Sequence, residues 1–352
     1  MDRSSAARPN GDSDRNALPQ LRTGPWMSSH IARWCAAQQN WDKIHYDLAY
    51  ATRVAGLPGT VINGALKQHL IVRFLEAALP GAWVWRLDYR FSGMDIVGQS
   101  LEVYGESTET RVIDGRTFVR VDFRIQNVEQ GADTTTGTAV CILDAGRDPA
   151  LFVDRDLHAP QQWLLDVSVR DRDLDMPSHV NSKLGERLES VESDYAIDFS
   201  RLRLFAEAIG EQRPLYFAPG FESAGKIGDV LAPPLFPLHA LEFLPGSRPL
   251  STDPAAIGRE GVSEVGRHMA GHFGFEIGWN GGNSVQVHSL ARVGERVAAE
   301  SVLVGAYSRV GRFAGRMLFF ETLNRYRTSD GRPLLTERQV MICRSTGDKG
   351  GE

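Results

Sequence analysis

Two stretches of this chain, one in each half, run through the same succession of helix, loop, turn and strands, which marks an internal duplication. The first begins with Ser29-His30-Ile31-Ala32-Arg33-Trp34-Cys35-Ala36-Ala37-Gln38, continues through Asn40–Tyr46 and a turn with Pro58 and Gly59, and reaches the apolar segment Val61-Ile62-Asn63-Gly64-Ala65-Leu66. The second runs Ser200–Gly210, then Glu211-Gln212-Arg213-Pro214-Leu215-Tyr216, then Val230-Leu231-Ala232-Pro233-Pro234-Leu235. Behind each come long runs of alternating apolar and polar residues, 83–104 and 285–297, the period of half-buried antiparallel strands. A strand pair closes each half, Thr117–Glu129 with Thr135–Leu143 and Met317–Arg327 with Leu335–Ile342, with Gly131 and Asp330-Gly331 between partners where hairpins need them. In the first copy Leu66, Leu70, Ile71, Phe74, Leu75 and Ala78 recur at helical spacing over Val61–Leu79. The matching segment of the second, Pro233–Leu244, contains Pro234 and Pro237 and precedes Pro245, which permits only a short or kinked helix. The expected architecture is α+β, an apolar helix and a long antiparallel sheet, twice, each sheet covering its own helix.

A length of 352 residues agrees with two cores at about 150 residues per domain. The expected boundaries are a disordered leader over 1–24, a first domain over 25–145, a Pro-, Asp- and Arg-rich linker over 146–182, a second domain over 183–345 and a short tail over 346–352. The leader is polar and lacks the apolar core of a secretory signal. A net charge of −5 gives no general attraction for nucleic acid, and no window holds the ~18 uninterrupted apolar residues of a membrane span. Three scattered cysteines, Cys35, Cys141 and Cys343, suit packing in a reducing cytoplasm.

The run Asn40-Trp41-Asp42-Lys43-Ile44-His45-Tyr46-Asp47, followed by Pro58-Gly59 and Val61-Ile62-Asn63-Gly64, resembles the hydratase motif of MaoC-like enoyl-CoA hydratases. The second half, with Phe205–Gly210, Pro214-Leu215-Tyr216, Ala232-Pro233-Pro234 and Val293-Gly294, resembles the non-catalytic domain paired with it in double hot-dog dehydratases. The resemblance implies a double hot-dog fold, a first half that carries catalysis, a structural second half, and a CoA or carrier-protein thioester as substrate. Asn40 stands where the family motif has its catalytic Asp, and Asn63 where it has His. Asn at position 40 is similar to the branch of mesaconyl-CoA-type hydratases, in which the hydratase copy usually comes last; here it comes first.

Adding water across a double bond conjugated to a thioester needs a base for the water, an acid for the α-carbon and donors for the thioester oxyanion. His45 can serve as base or acid. The Gly64 N–H, at a helix start, can donate to the oxyanion. Asn40 can orient the water but cannot take a proton, so two routes stay open: one imidazole shuttles the proton, or Asp42 supplies the missing carboxylate. Asp47 caps the following helix or contacts substrate, the role of Asn63 is open, and Lys67, with Lys43, Arg53 and Arg73, could meet the phosphates of coenzyme A. His268 and His272 are four apart, but Met269 and Gly271 break a zinc pattern, and no nucleotide-binding glycine motif is present, so neither metal nor cofactor is expected. Rival readings are a hot-dog thioesterase and a non-catalytic acyl-CoA-binding subunit. Hot-dog halves pair through their sheets, so the chain can act alone or as a homodimer.

Overall fold

A computed structural model describes residues 16–143, 154, 157–218, 230–243, 276–311 and 315–344. His268, His272 and the tail lie outside them, as do residues 1–15 of the expected leader.

The helices are α1 (Ser28–Gln38), α2 (Gly64–Ala78), α3 (Ser178–Asn181) and α4 (Phe199–Ile209). The first-half strands are β1 (Leu21–Thr23), β2 (Ala82–Phe91), β3 (Leu101–Ile113), β4 (Arg116–Asn127) and β5 (Ala132–Leu143). The second half supplies β6 (Arg187–Glu192), β7 (Glu276–Val287), β8 (Val297–Gly311), β9 (Gly315–Thr328) and β10 (Pro333–Arg344). They form one sheet in the order β1-β3-β4-β5-β2-β7-β10-β9-β8-β6. The hairpins β4–β5 and β9–β10 fall where the glycines placed them, and Gly131 and Gly331 take φ of 63° and 95° there.

The two sheets expected from the repeat are therefore a single sheet, because β2 and β7 pair antiparallel, with Leu87 opposite Val285 and Tyr89 opposite Asn283. The expected leader is also shorter than 1–24: Ala17 bridges to Glu106, and β1 pairs with β3 through Leu21 and Val103. Ordinary strand propensity over Leu21-Arg22-Thr23 suffices once an open sheet edge is offered. In the expected linker, Trp163 is buried against Phe118, and Arg170 donates to Glu321 at 2.8 Å.

α2 lies in the grip of the first half. Leu66, Leu70, Ile71, Phe74 and Leu75 are fully buried, each such side chain contributing about 1.5–3 kcal/mol. Gly105 of β3 makes room for it, since a Cβ there would stand 2.8 Å from the Phe74 ring. Leu79 ends the helix ahead of Pro80 and Gly81. Where the second half would place its own long helix there is a single turn, Phe236–His239, as the prolines predict.

The repeat can be followed bond by bond. Val61 N–H donates to Ile44 O at 3.0 Å and Leu231 N–H to Leu215 O at 3.4 Å; Ile62 N–H donates to Asp95 O and Ala232 N–H to Ala291 O, both at 2.8 Å. Tyr216 thus occupies the place of His45, Pro233 and Pro234 those of Asn63 and Gly64, and Ala291 that of Asp95.

The halves are locked by α1 packing on α4 and by a buried polar cluster. Arg213 pairs with Glu76 of α2 and with Glu211 at 3.0 Å, and the Tyr216 hydroxyl donates to Glu76 at 2.9 Å. Burial pushes the Glu76 carboxyl up to about 7 against the pull of Arg213. Arg213→Leu leaves that carboxyl buried without its cation and should cost roughly 2 kcal/mol of unfolding free energy at pH 8. A carboxyl whose folded pKa is raised binds more protons folded than unfolded, so stability falls as pH rises and the deficit shrinks by pH 5.5. Urea titrations of both proteins at the two pH values check this.

Candidate functional site

Behind α1 the chain turns through Lys43–His45, a single turn capped by Asp42, whose Oδ1 accepts from Ile44 N–H at 3.2 Å. Asn40 Oδ1 accepts from Asp42 N–H at 3.0 Å, which fixes the Asn40 carbonyl and leaves its amide as the outward donor. The next residues are tied to the segment leading into α2: Ile44 O accepts from Val61 N–H, and His45 Nδ1 lies 2.8 Å from Val61 O. A carbonyl can only accept, so Nδ1 carries the proton and Nε2 presents a lone pair. His45 is 8% exposed, and burial pulls its pKa down to about 4 although the Val61 carbonyl favours the protonated ring. The imidazole is neutral at physiological pH.

Three residues beyond Val61, α2 begins at Gly64. The first N–H groups of a helix have no intrahelical acceptor and sit at the positive end of its dipole. A Cβ on Gly64 would come within 3.0 Å of the Phe91 ring, so this approach admits only glycine without displacing that ring. Asn63, 1% exposed, has its amide against the Cys35 sulfur at 3.9 Å.

His45, Asn40, Asp42, Asn63, Gly64 and Lys67 all line one cavity of about 510 Å³. Its size is that of an ordinary small-molecule site. Asp47 does not line it: its Oδ1 accepts from Tyr50 N–H at 3.0 Å, capping the helical turn that starts at Leu48, so the substrate contact considered for it gives way to the cap. Lys67 differs from its expected role as well. It is 3% exposed, its Nζ donates to Asp95 Oδ2 at 2.8 Å, and it rests 4.8 Å above the Phe91 ring. Asp95 also accepts from Asn127 Nδ2 at 2.8 Å and Thr134 Oγ1 at 3.0 Å. A lysine so enclosed holds the wall of the site and is not free for a phosphate. Arg73 is likewise engaged, donating to Ile209 O at 2.8 Å at the end of α4.

The other side of the cavity comes from the second half, where Leu238, Trp279, Asn283, Tyr326, Glu337 and Gln339 line it. Glu337 is fully enclosed and accepts from Asn324 Nδ2 at 2.9 Å and from Asn283 Nδ2; burial pushes its carboxyl up, and these two amides oppose the shift. Sequence reasoning missed this wall. The available signal was the inward register of β10, Leu335, Glu337, Gln339, Met341 and Cys343, which sets two polar residues among apolar ones.

Among the described residues no group of three or more potential ligands could hold a metal ion, and no helix is long and apolar enough to cross a membrane. All three cysteines are buried, and none forms a disulfide.

Comparison with known proteins gives two family models. Hydroxyacyl-thioester dehydratase type 2 matches residues 2–97, and a FAS1-like dehydratase domain region matches residues 182–337. No protein of curated function matches the sequence. Several solved structures share the fold. A MaoC domain dehydratase from Chloroflexus aurantiacus superposes with a TM-score of 0.61 at 10% identity, covering 97% of this chain and 100% of its own. A MaoC-like dehydratase gives 0.58 at 13% identity, over 92% and 97% of the two chains. A conserved Mycobacterium tuberculosis protein with a double hot-dog fold gives 0.58 at 11% identity, over 93% and 96%.

Proposed function

We propose that this chain, in which a hydroxyacyl-thioester dehydratase model matches residues 2–97 and a FAS1-like dehydratase region matches residues 182–337, is a MaoC-like double hot-dog dehydratase that hydrates enoyl thioesters and dehydrates 3-hydroxyacyl thioesters. The observation that carries the reading is the convergence of an unprotonated His45 Nε2 and the Gly64 helix start on one cavity.

In the hydration direction, Nε2 takes a proton from a water oriented by the Asn40 amide as that oxygen bonds to the β-carbon. The displaced π electrons move through the α-carbon onto the thioester oxygen, where the Gly64 N–H stabilises the charge. The oxyanion then collapses as the imidazolium returns its proton to the α-carbon, regenerating the base. Of the two routes left open by the sequence, the single-imidazole shuttle is favoured, because Asp42 Oδ1 is committed to capping the turn that carries His45. The family Asp is replaced by an amide that orients, while the imidazole both takes and returns the proton.

Incubation with crotonyl-CoA tests the reading: enoyl absorbance should disappear with no release of free thiol. Thiol release would indicate thioester hydrolysis instead, and tight binding without turnover would indicate the acyl-CoA-binding alternative.

The buried imidazole also sets a pH dependence. With its pKa lowered to about 4, His45 is deprotonated throughout the range in which an ordinary histidine titrates, so kcat/KM should stay flat from about pH 5.5 to 8 with no inflection near 6.5. Initial rates across that range check it; an acid limb centred near 6.5 would assign the base elsewhere.

A further inference from the structure

Just after the Gly64 helix start, α2 buries three polar side chains in succession, Lys67, Gln68 and His69. Polar side chains are tolerated in such places where they have partners, and these three are tied in different directions. Lys67 reaches the loop after β2 through Asp95. Gln68, one turn beyond Gly64 on the same face of the helix, lines the cavity. Its Oε1 accepts from the Tyr89 hydroxyl of β2, and its Nε2 lies 3.3 Å from Nε2 of His239, in the one-turn segment Phe236–His239 of the second half. His69 Nε2 lies 3.1 Å from that same His239 nitrogen.

An amide nitrogen can only donate, so His239 Nε2 accepts from Gln68 and carries no proton, and His69 Nε2–H donates to it as well. Burial pulls the His239 imidazole down to about 3, and Arg201 acts in the same direction, so the lone pair is present at neutral pH. The rings of Trp34 on α1 and Phe205 on α4 stand 5.6 Å from the imidazole, and Arg201 donates to the His239 carbonyl. The acceptor is thus held on a fixed turn among aromatic rings. These ties matter because the cap side chain does not set the helix start: Asn63 makes no side-chain capping bond, and its backbone carbonyl accepts from Leu66 and Lys67 N–H at 3.1 and 3.4 Å. Successive residues project about 100° apart around a helix, so Lys67 alone leaves α2 free to turn about one tie, and Gln68 removes that freedom.

Resting on the proposed thioester chemistry, we infer that His239, from the second half, is a positioning residue: through Gln68 it fixes the rotation of α2 and so aims the Gly64 N–H at the thioester oxygen. Loss of the acceptor leaves the Gln68 and His69 N–H groups buried and unpaired, and the helix turns to repair them.

Crotonyl-CoA kinetics of His239→Leu test this. Its kcat should fall about ten- to a hundred-fold, the scale of a misplaced catalytic group, with KM changed by less than about two-fold. His239→Gln, whose side-chain carbonyl can accept both N–H groups, should recover most of the loss. A parental kcat in His239→Leu, or His239→Gln as slow as His239→Leu, overturns the inference. Gln68→Met cuts the same link from the α2 side and carries the same expectations should His239→Leu fail to fold. Titration with acetoacetyl-CoA, whose enolate absorbs in the near ultraviolet and presents the oxyanion without turnover, separates positioning from the reaction. His239→Leu should bind it about ten-fold more weakly than the parent while binding butyryl-CoA equally; unchanged affinity for both overturns the inference. A parent that does not hydrate crotonyl-CoA, in which His239→Leu still causes this selective loss, removes the hydratase reading alone. A parent that neither hydrates nor binds these thioesters overturns both.

Discussion

His45→Ala should lower kcat for crotonyl-CoA hydration by about 10²–10⁴-fold while changing KM little, because the lost group moves a proton in the transition state and contributes little to holding the thioester. His45→Asn is the sharper companion. Its amide nitrogen stands where Nδ1 stood and can keep the bond to the Val61 carbonyl and the shape of the turn but is not basic, so it should be as inactive as the alanine variant with an unfolding midpoint near that of the parent. Steady-state kinetics with a urea titration of each protein decide the matter. Retention of parental kcat in either variant would remove the imidazole from the chemistry.

The largest effect on stability is expected at Asp95. Replacing it with Leu leaves the Lys67 ammonium buried without its counter-charge and deprives Asn127 and Thr134 of an acceptor. A loss of about 3–5 kcal/mol is expected, the usual consequence of removing one member of a buried pair. Lys67→Met on the same background should recover much of it, because the remaining surfaces are then neutral and similar in volume. Chemical denaturation of the single and double variants measures the coupling directly. If Lys67 were a phosphate ligand, the double variant would instead lose affinity for CoA thioesters far beyond that for pantetheine thioesters.

Much of this architecture was legible in the residues. Hairpin glycines and the helical spacing of Leu66, Leu70, Phe74 and Leu75 located β4, β5, β9, β10 and α2 to within a few positions, and the prolines at 233, 234 and 237 foretold the missing second helix, whereas the alternating run 285–297 is mostly the loop between β7 and β8, and β8 itself was not expected. The join between β2 and β7 was not legible, because strand patterning specifies which face is buried but not which edge meets which. The same limit governs the site. The short-range motif Asn40–His45 and the helix start at Gly64 could be read because local geometry brings them together through Val61. Lys67 read as a free cation because its partner lies in a loop beyond the next strand, and Asp47 could be either ligand or cap until its bond to Tyr50 decided it. The wall formed by Asn283, Glu337 and Gln339 depends on strands remote from the motif, so only pairing distant in sequence reveals it.

The fusion of two related folds into one polypeptide has a further consequence. In an assembly of identical subunits every substitution is made twice, once beside the proton chemistry and once beside the acyl tail. Here Tyr216, Pro234 and Ala291 stand where His45, Gly64 and Asp95 stand in the other half, so each can change without disturbing its counterpart. On the proposed chemistry, the second half is free to be recast for new acyl groups while the half that carries His45 and Gly64 stays as it is.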